Sequence, residues 1–140
     1  MQSTTPQAEF IMLQSSLSAK LTKRVENQLS FHGISFTEYM ILRFLNEAPK
    51  KTMRRIELAE SVGISASGVT RLLAPMEKRK LVEKEANARD ARVSLVKLTK
   101  PGERVYKEAA ESFEHSADFL KERLSGNQLS TLIELTNRLI

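Results

Sequence analysis

Phe10, Leu13, Leu17, Leu21, Val25 and Leu29 recur at steps of three and four residues, which predicts one apolar stripe along a long amphipathic helix. A stripe of that length needs a partner surface. The stretch from Phe31 to Phe36, with Gly33 inside it, interrupts the period. A second helix is then predicted with Thr37 as N-cap, carrying Tyr39, Ile41, Leu42 and Leu45 and stopping near Pro49. Thr52 is read as the cap of a short third helix with Ile56, Leu58 and Ala59, ending at Val62 and Gly63.

Ser65 caps a fourth helix, SASGVTRLLAPMEKRK, with Val69, Leu72, Leu73 and Met76 on one side. Pro75 lies inside it, removes the hydrogen bond to the Arg71 carbonyl and predicts a kink or early fraying. Leu81 to Ala86 and Val93 to Leu98, rich in β-branched and apolar residues and flanking the polar NARDAR, read as a β-hairpin. Thr99 caps a fifth helix with Pro101 in its first turn. Val105, Tyr106, Ala109, Phe113, Ala117 and Leu120 carry this helix to about Leu124. Ser125 and Gln128 form an S-x-x-Q capping box for a last helix with Leu129, Leu132, Ile133, Leu135 and Leu139.

The length of 140 residues suits one domain, and 41% hydrophobic with 28% charged residues is globular composition. No apolar run approaches the ~20 residues that span a bilayer, so no membrane partner is expected. The opening MQSTTPQAEFIML lacks a basic n-region and a long apolar core, which predicts a cytoplasmic location. The absence of cysteine excludes disulfides, thiolate nucleophiles, cysteine zinc sites and thiol-based switching.

Charge changes the picture more. Residues 1–49 are neutral and 108–140 are acidic, whereas 50–107 hold 15 basic residues against 7 acidic ones. A local surplus of this kind is either a solvated surface or an electrostatic footprint for a polyanion, most often nucleic acid.

The stretch from Arg55 to Leu72 gives the footprint a form. A helix pair that docks one helix in the DNA major groove needs a small residue at the crossing, a glycine-containing turn and apolar residues locking the two. Ala59 is the small residue, Val62, Gly63 and Ile64 form the turn, and Leu58, Val69 and Leu72 supply the lock. Near the N-terminal end of the recognition helix, Ser65, Ser67, Thr70 and Arg71 are candidate DNA contacts. Ser67 and Thr70 suit base edges or phosphates, and Arg71 suits either a bidentate contact to guanine or a phosphate. Thr52, Arg54 and Arg55 open the third helix, where free backbone N–H groups favour phosphate and add affinity without sequence preference.

The hairpin adds a more specific signal. Asn87, Arg89, Asp90, Ala91 and Arg92, followed after five residues by Leu98, Thr99 and Gly102, resemble the wing pattern D-x-R-D-[AG]-R … L-T-x-x-G of the MarR family, multiple-antibiotic-resistance-type bacterial transcription factors. The resemblance runs over nearly the whole chain, and its one departure is Asn87 where the family usually has Asp. It implies a mainly α fold with a small β-hairpin wing: a winged helix-turn-helix plus a helical dimerisation region within a single domain over 1–140. Residues 35–99 would form the DNA-binding part, and 7–34 with 100–140 the dimerisation part. It further implies an obligate homodimer, and three amphipathic helices on so short a chain support that independently. A two-fold dimer would read an inverted repeat in double-stranded DNA with half-sites about 34 Å apart. The family pattern places an arginine of the wing in the minor groove; Arg92 is favoured, with Arg89 on the phosphates and Asp90 shaping the loop through an ion pair. The resemblance also implies a small aromatic or phenolic effector near the junction of dimer helices and DNA module, where Phe10, Phe31, Phe36, Tyr39 and Phe113 are candidate lining residues. Repression is the family default.

Enzyme chemistry is not expected. His32 and His115 are isolated from any catalytic or ligand set, no HExxH, P-loop or GxGxxG occurs, and no catalytic residue, metal or cofactor is assigned. Two other readings share the basic module. A sequence-tolerant architectural nucleic-acid-binding protein would distinguish poorly between specific and random DNA. A winged helix used only for protein interaction would show no salt-dependent DNA binding.

Overall fold

The computed structural model describes residues 3–140. Helix α1, Pro6–Leu29, starts where the Thr5 hydroxyl accepts from the Ala8 N–H at 3.2 Å. Only Val25 and Leu29 of this helix are buried, and Phe10, Ile11, Met12, Leu13 and Leu17 stand in solvent. A single 3-10 turn, Ser30–His32, closes on Gly33 at φ 70°, a left-handed conformation that glycine adopts without steric cost.

Helix α2, Phe36–Glu47, begins at Ser35 and not at Thr37 as expected. Ser35 Oγ accepts from the Glu38 N–H at 3.1 Å while the Glu38 carboxylate accepts from the Ser35 N–H at 2.8 Å. This capping box satisfies two donors of the first turn, whereas a cap at Thr37 would satisfy one.

A second correction falls on Thr52. Instead of capping a helix it opens a strand, β1, Thr52–Arg54, and its hydroxyl donates to the Lys50 carbonyl at 3.0 Å. Helix α3, Arg55–Val62, follows directly, with Arg54 at the cap position and no side-chain cap. Three residues are too few for a period-two pattern to register. The strand exists because a neighbour pairs with it.

Helix α4, Ala66–Lys78, is capped by Ser65, whose Oγ accepts from the Gly68 N–H at 3.0 Å. The expected disruption at Pro75 is not seen: the helix continues to Lys78 and the Arg79 N–H reaches the Pro75 carbonyl at 3.1 Å. Pro75 lies in solvent between buried Leu73 and Met76, so packing of those two side chains holds the last turn in place. Strands β2, Val82–Ala86, and β3, Ser94–Leu98, form the expected hairpin, with Val82 opposite Leu98 and Ala86 opposite Ser94. β1 adds antiparallel to the other edge of β3, so the sheet has three strands in the order β1-β3-β2.

Helix α5, Lys100–Ala117, is capped by Thr99, which accepts from the Gly102 N–H at 3.0 Å. It does not run to Leu124. The Asp118 N–H turns to the His115 carbonyl, a short helix α6, Leu120–Arg123, follows, and Leu124 is extended. The break brings Phe119 beneath the Arg24 guanidinium of α1, 3.9 Å from ring centroid to carbon, a cation–π contact a straight helix would forgo. Helix α7, Gly126–Asn137, starts with the expected Ser125–Gln128 capping box, and none of its residues is buried.

One core joins these elements. Ile41, Leu42 and Leu45 of α2, Leu58 of α3, Val69 of α4 and Val96 of β3 are wholly inaccessible, each burial contributing roughly 1.5–3 kcal/mol. Tyr39 ties this core to α5, its ring stacked on Phe113 at 4.8 Å and Tyr106 at 5.6 Å between centroids. No helix among the described residues is long and apolar enough to cross a membrane.

Candidate nucleic-acid interface

The crossing of α3 and α4 depends on Ala59, which is 4% exposed, and on Gly63, which ends α3 at φ 81°. The N–H groups of Gly63 and Ile64 both return to the Ala59 carbonyl, at 2.9 and 3.1 Å, and so cap α3 while turning the chain into α4. Leu58 and Val69 lock the pair from inside, with Leu72 half-buried beside them. Ile56, assigned to this apolar face from the sequence, instead stands in solvent at 55% exposure. Leu58, Ala59 and Val62 share one side of the helix at steps of one, three and four, and Ile56 falls off it.

The outer side of α4 carries the proposed readers. Ser65 is engaged as cap, and its Oγ lies 3.2 Å from that of Ser67. Thr70 and Arg71 are exposed one helical turn further on, and Arg71 makes no ion pair or side-chain hydrogen bond among the described residues. Arg54 is exposed and faces Glu57 at 3.9 Å. Arg55 differs: half-buried, it donates from Nη1 to Thr70 Oγ1 at 3.0 Å. Thr52 is on β1 opposite Lys97 with its hydroxyl spent on the Lys50 carbonyl, so it does not cap α3.

At the wing, Asp90 accepts from the Arg92 backbone N–H at 3.0 Å, from its Nε at 3.2 Å and from its Nη2 at 3.4 Å. These bonds hold the Asp90 carboxyl below the usual aspartate range. The Arg92 side chain remains almost fully exposed. Asn87 Oδ1 accepts from the Arg89 N–H at 2.8 Å, and Arg89 itself is exposed. An aspartate oxygen would make the same turn, so the departure at Asn87 leaves the loop geometry intact.

These pieces converge. Arg54, Arg55, Ile56, Ala66, Arg92, Val93 and Ser94 line one concavity of about 230 Å³ where α3, α4 and the base of the wing meet. Sequence reasoning placed Arg54 and Arg55 at the start of the third helix and Arg92 on the wing. Only β1, the unforeseen strand, sets Arg54 opposite Leu95 of the wing and brings Arg92 beside the helix pair. Among the described residues no group of three or more His, Asp or Glu side chains is placed to hold a metal ion.

The aromatic candidates divide. Phe36 and Phe113 line a nearly all-apolar cavity of about 190 Å³ together with Leu21, Arg24, Val25, Ser116, Ala117, Phe119 and Leu120. Tyr39 touches it only through Phe113. Phe10 and Phe31, 46% and 83% exposed, are not brought to it. Sequence periodicity missed Arg24 and Phe119 here, since their contact arises only from the break after α5.

A sequence model of the MarR family matches residues 32–93, from the turn before α2 to the wing. The transcriptional repressor MprA of Escherichia coli K12 is 25% identical over 124 residues, 89% of this chain and 70% of its own length. Among solved structures, Sco3205, a MarR family transcriptional regulator from Streptomyces coelicolor in complex with DNA, superposes with a TM-score of 0.87 at 24% identity, covering 99% of this chain and 89% of that one. NadR in complex with 4-hydroxyphenylacetate superposes with a TM-score of 0.83 at 25% identity, covering 99% and 97%. With the helix pair and the wing in place, residues 32–93 carry the match to the MarR family, and the chain as a whole shares the fold of Sco3205 and NadR.

Proposed function

We propose that the chain acts as a homodimeric, sequence-specific repressor that reads an inverted repeat and is released by a small aromatic or phenolic effector. The observation that carries DNA reading is the unengaged, exposed Arg71 on α4, the helix whose first turn shares the arginine-lined concavity with the exposed Arg92. In this reading residues 35–99 are the reading unit. Ser67, Thr70 and Arg71 face base edges, Arg54, Arg55 and Arg89 meet phosphates, Arg92 enters the minor groove and Asp90 shapes the wing. Thr52 and Ser65, whose hydroxyls are engaged within the chain, contribute through their backbone.

Residues 7–34 and 100–140 form the dimerisation part. Support comes from the apolar side chains they leave in solvent, Ile11, Met12 and Leu13 on α1 and Leu132, Ile133 and Leu135 on α7, more than a monomer keeps exposed without use. The half-site spacing of about 34 Å follows from two recognition helices in successive turns of one DNA face. The name of MprA, a transcriptional repressor, supports repression.

Effector release rests on the apolar cavity between α1, α2 and α5. Its lining is almost wholly hydrophobic, with the Arg24 guanidinium laid over the Phe119 ring and the Ser116 hydroxyl bonded to the Phe113 carbonyl, a composition suited to the apolar face of an aromatic ring. The ligand named with NadR, 4-hydroxyphenylacetate, carries such a ring. A ligand there releases DNA only by preferring the dimer geometry that does not fit the operator.

Selection from a pool of random duplexes at about physiological salt tests the reading. Enrichment of an inverted repeat with half-sites one helical turn apart is expected. Salt-sensitive retention without enrichment would favour an architectural role, and no retention a protein-interaction role.

A further inference from the structure

The hydrogen bonds around Thr70 fix which of its groups is free to meet a base. Arg55 Nη1 lies 3.0 Å from Thr70 Oγ1, and Thr70 Oγ1 lies 3.1 Å from the Ala66 carbonyl oxygen. A guanidinium only donates and a carbonyl only accepts, so the direction of both bonds is forced. The single hydroxyl proton of Thr70 is therefore committed to Ala66, and one of its lone pairs to Arg55. With Oγ1 held in place, the stiff β-branched side chain has its γ-methyl fixed as well. Thr70 is nonetheless exposed. Arg55, by contrast, is half-buried, with an Nε that is buried and has no partner, so its Nη1 is held on Thr70 of α4.

We infer that Thr70 discriminates bases through its γ-methyl group, by apolar contact with the C5 methyl of one thymine in each half-site, and that Arg55 is the positioning residue that presents it. Thymine alone among the four bases carries a methyl group in the major groove. A free threonine hydroxyl accepts or donates to several base edges and reads poorly; a tethered one can no longer donate and has a single acceptor position left, so the fixed methyl is the group that distinguishes thymine. The inference rests on the reading that α4 enters the major groove.

Replacement of single thymines by uracil in the selected operator removes the methyl and nothing else. For the parent protein, one uracil position per half-site is expected to weaken binding by about fourfold, the scale of one buried methyl. Thr70→Val, which keeps a methyl, retains this preference for thymine over uracil, and Thr70→Ser, which keeps only the hydroxyl, abolishes it. Arg55→Met frees the second lone pair of the Thr70 oxygen and releases it from its tether, so that it can turn to accept from adenine or cytosine amino groups. It is expected to broaden base preference at that same position, a change that loss of a phosphate contact or of helix packing does not produce. Thymine-over-uracil preference that survives Thr70→Ser, or indifference of the parent to uracil at every position, overturns the inference while leaving sequence-specific binding intact. Failure to select any operator overturns the underlying reading as well.

Discussion

Arg92 and Asp90 are joined three times, twice through the guanidinium and once through the Arg92 backbone N–H, so the carboxylate sets both the turn of the wing and the direction of the arginine. The two residues therefore fail differently when removed. Arg92→Ala is expected to weaken operator binding and lower the slope of log affinity against log salt by about one. Asp90→Ala keeps the cation and the slope but loses discrimination between operator and random duplex. Titrations by fluorescence anisotropy across a salt series separate the two, and equal operator affinity for Arg92→Ala and parent would sink the wing assignment. Because Arg92 lowers the Asp90 carboxyl, the ion pair is complete above the usual aspartate value and is lost only as pH falls below it. Operator affinity should not change through this group between roughly pH 5 and 8.

Gly102 has less room around it than any other glycine of the chain. A Cβ there would lie 2.1 Å from the Leu81 carbonyl oxygen and 2.7 Å from Leu98 Cδ1, and the first of these is backbone that cannot swing away. Gly102→Ala should destabilise the protein by about 3 kcal/mol or more, by forcing the start of α5 off the sheet. Urea denaturation followed by circular dichroism measures it; an unchanged midpoint would contradict the packing described.

Tyr39 gives stability an alkaline limit. Its burial and the neighbouring Tyr106 phenol push its pKa up from 10.0 to about 12. The folded state thus keeps a proton that the unfolded state releases, so stability is full below the ordinary tyrosine value and falls as pH rises from there toward about 12. Tyr39→Phe should flatten that decline in urea midpoints measured across the same interval. A decline as steep as the parent's would assign it to other groups.

Leu13 is 60% exposed on the half of α1 outside the core. Leu13→Glu is expected to leave folding unchanged and to shift sedimentation from dimer toward monomer, with operator binding lost in parallel. Retention of the dimer would place the subunit interface elsewhere.

Much of this fold was legible in the chain because its signals are local. Thr99, Ser65 and the Ser125–Gln128 box cap the helices expected of them, since a cap needs only residues three positions apart. Ser35 outcompeted Thr37 by the same chemistry, through a box overlooked two residues upstream. What the pattern could not hold was long-range. β1 exists through its pairing with β3, more than forty residues later. The end of α5 is set by Arg24 and Phe119, from opposite parts of the chain. At the interface, periodicity placed Thr70 and Arg71 on one exposed face but could not show that Arg55, fifteen residues earlier, spends its donor on Thr70. The same limit explains why Phe10 and Phe31 were grouped with Phe36 and Phe113: aromatic character was visible, and shared surroundings were not.

In the proposed function Arg71 reads sequence and Arg54 only charge. This division is tested most directly by titrating the parent, Arg71→Ala and Arg54→Ala against the selected operator and a scrambled duplex of equal length. The account predicts that Arg71→Ala loses about 1–3 kcal/mol on the operator and little on the scrambled duplex, while Arg54→Ala weakens both alike. Equal losses on both duplexes for Arg71→Ala would contradict it and reassign Arg71 to the phosphate backbone.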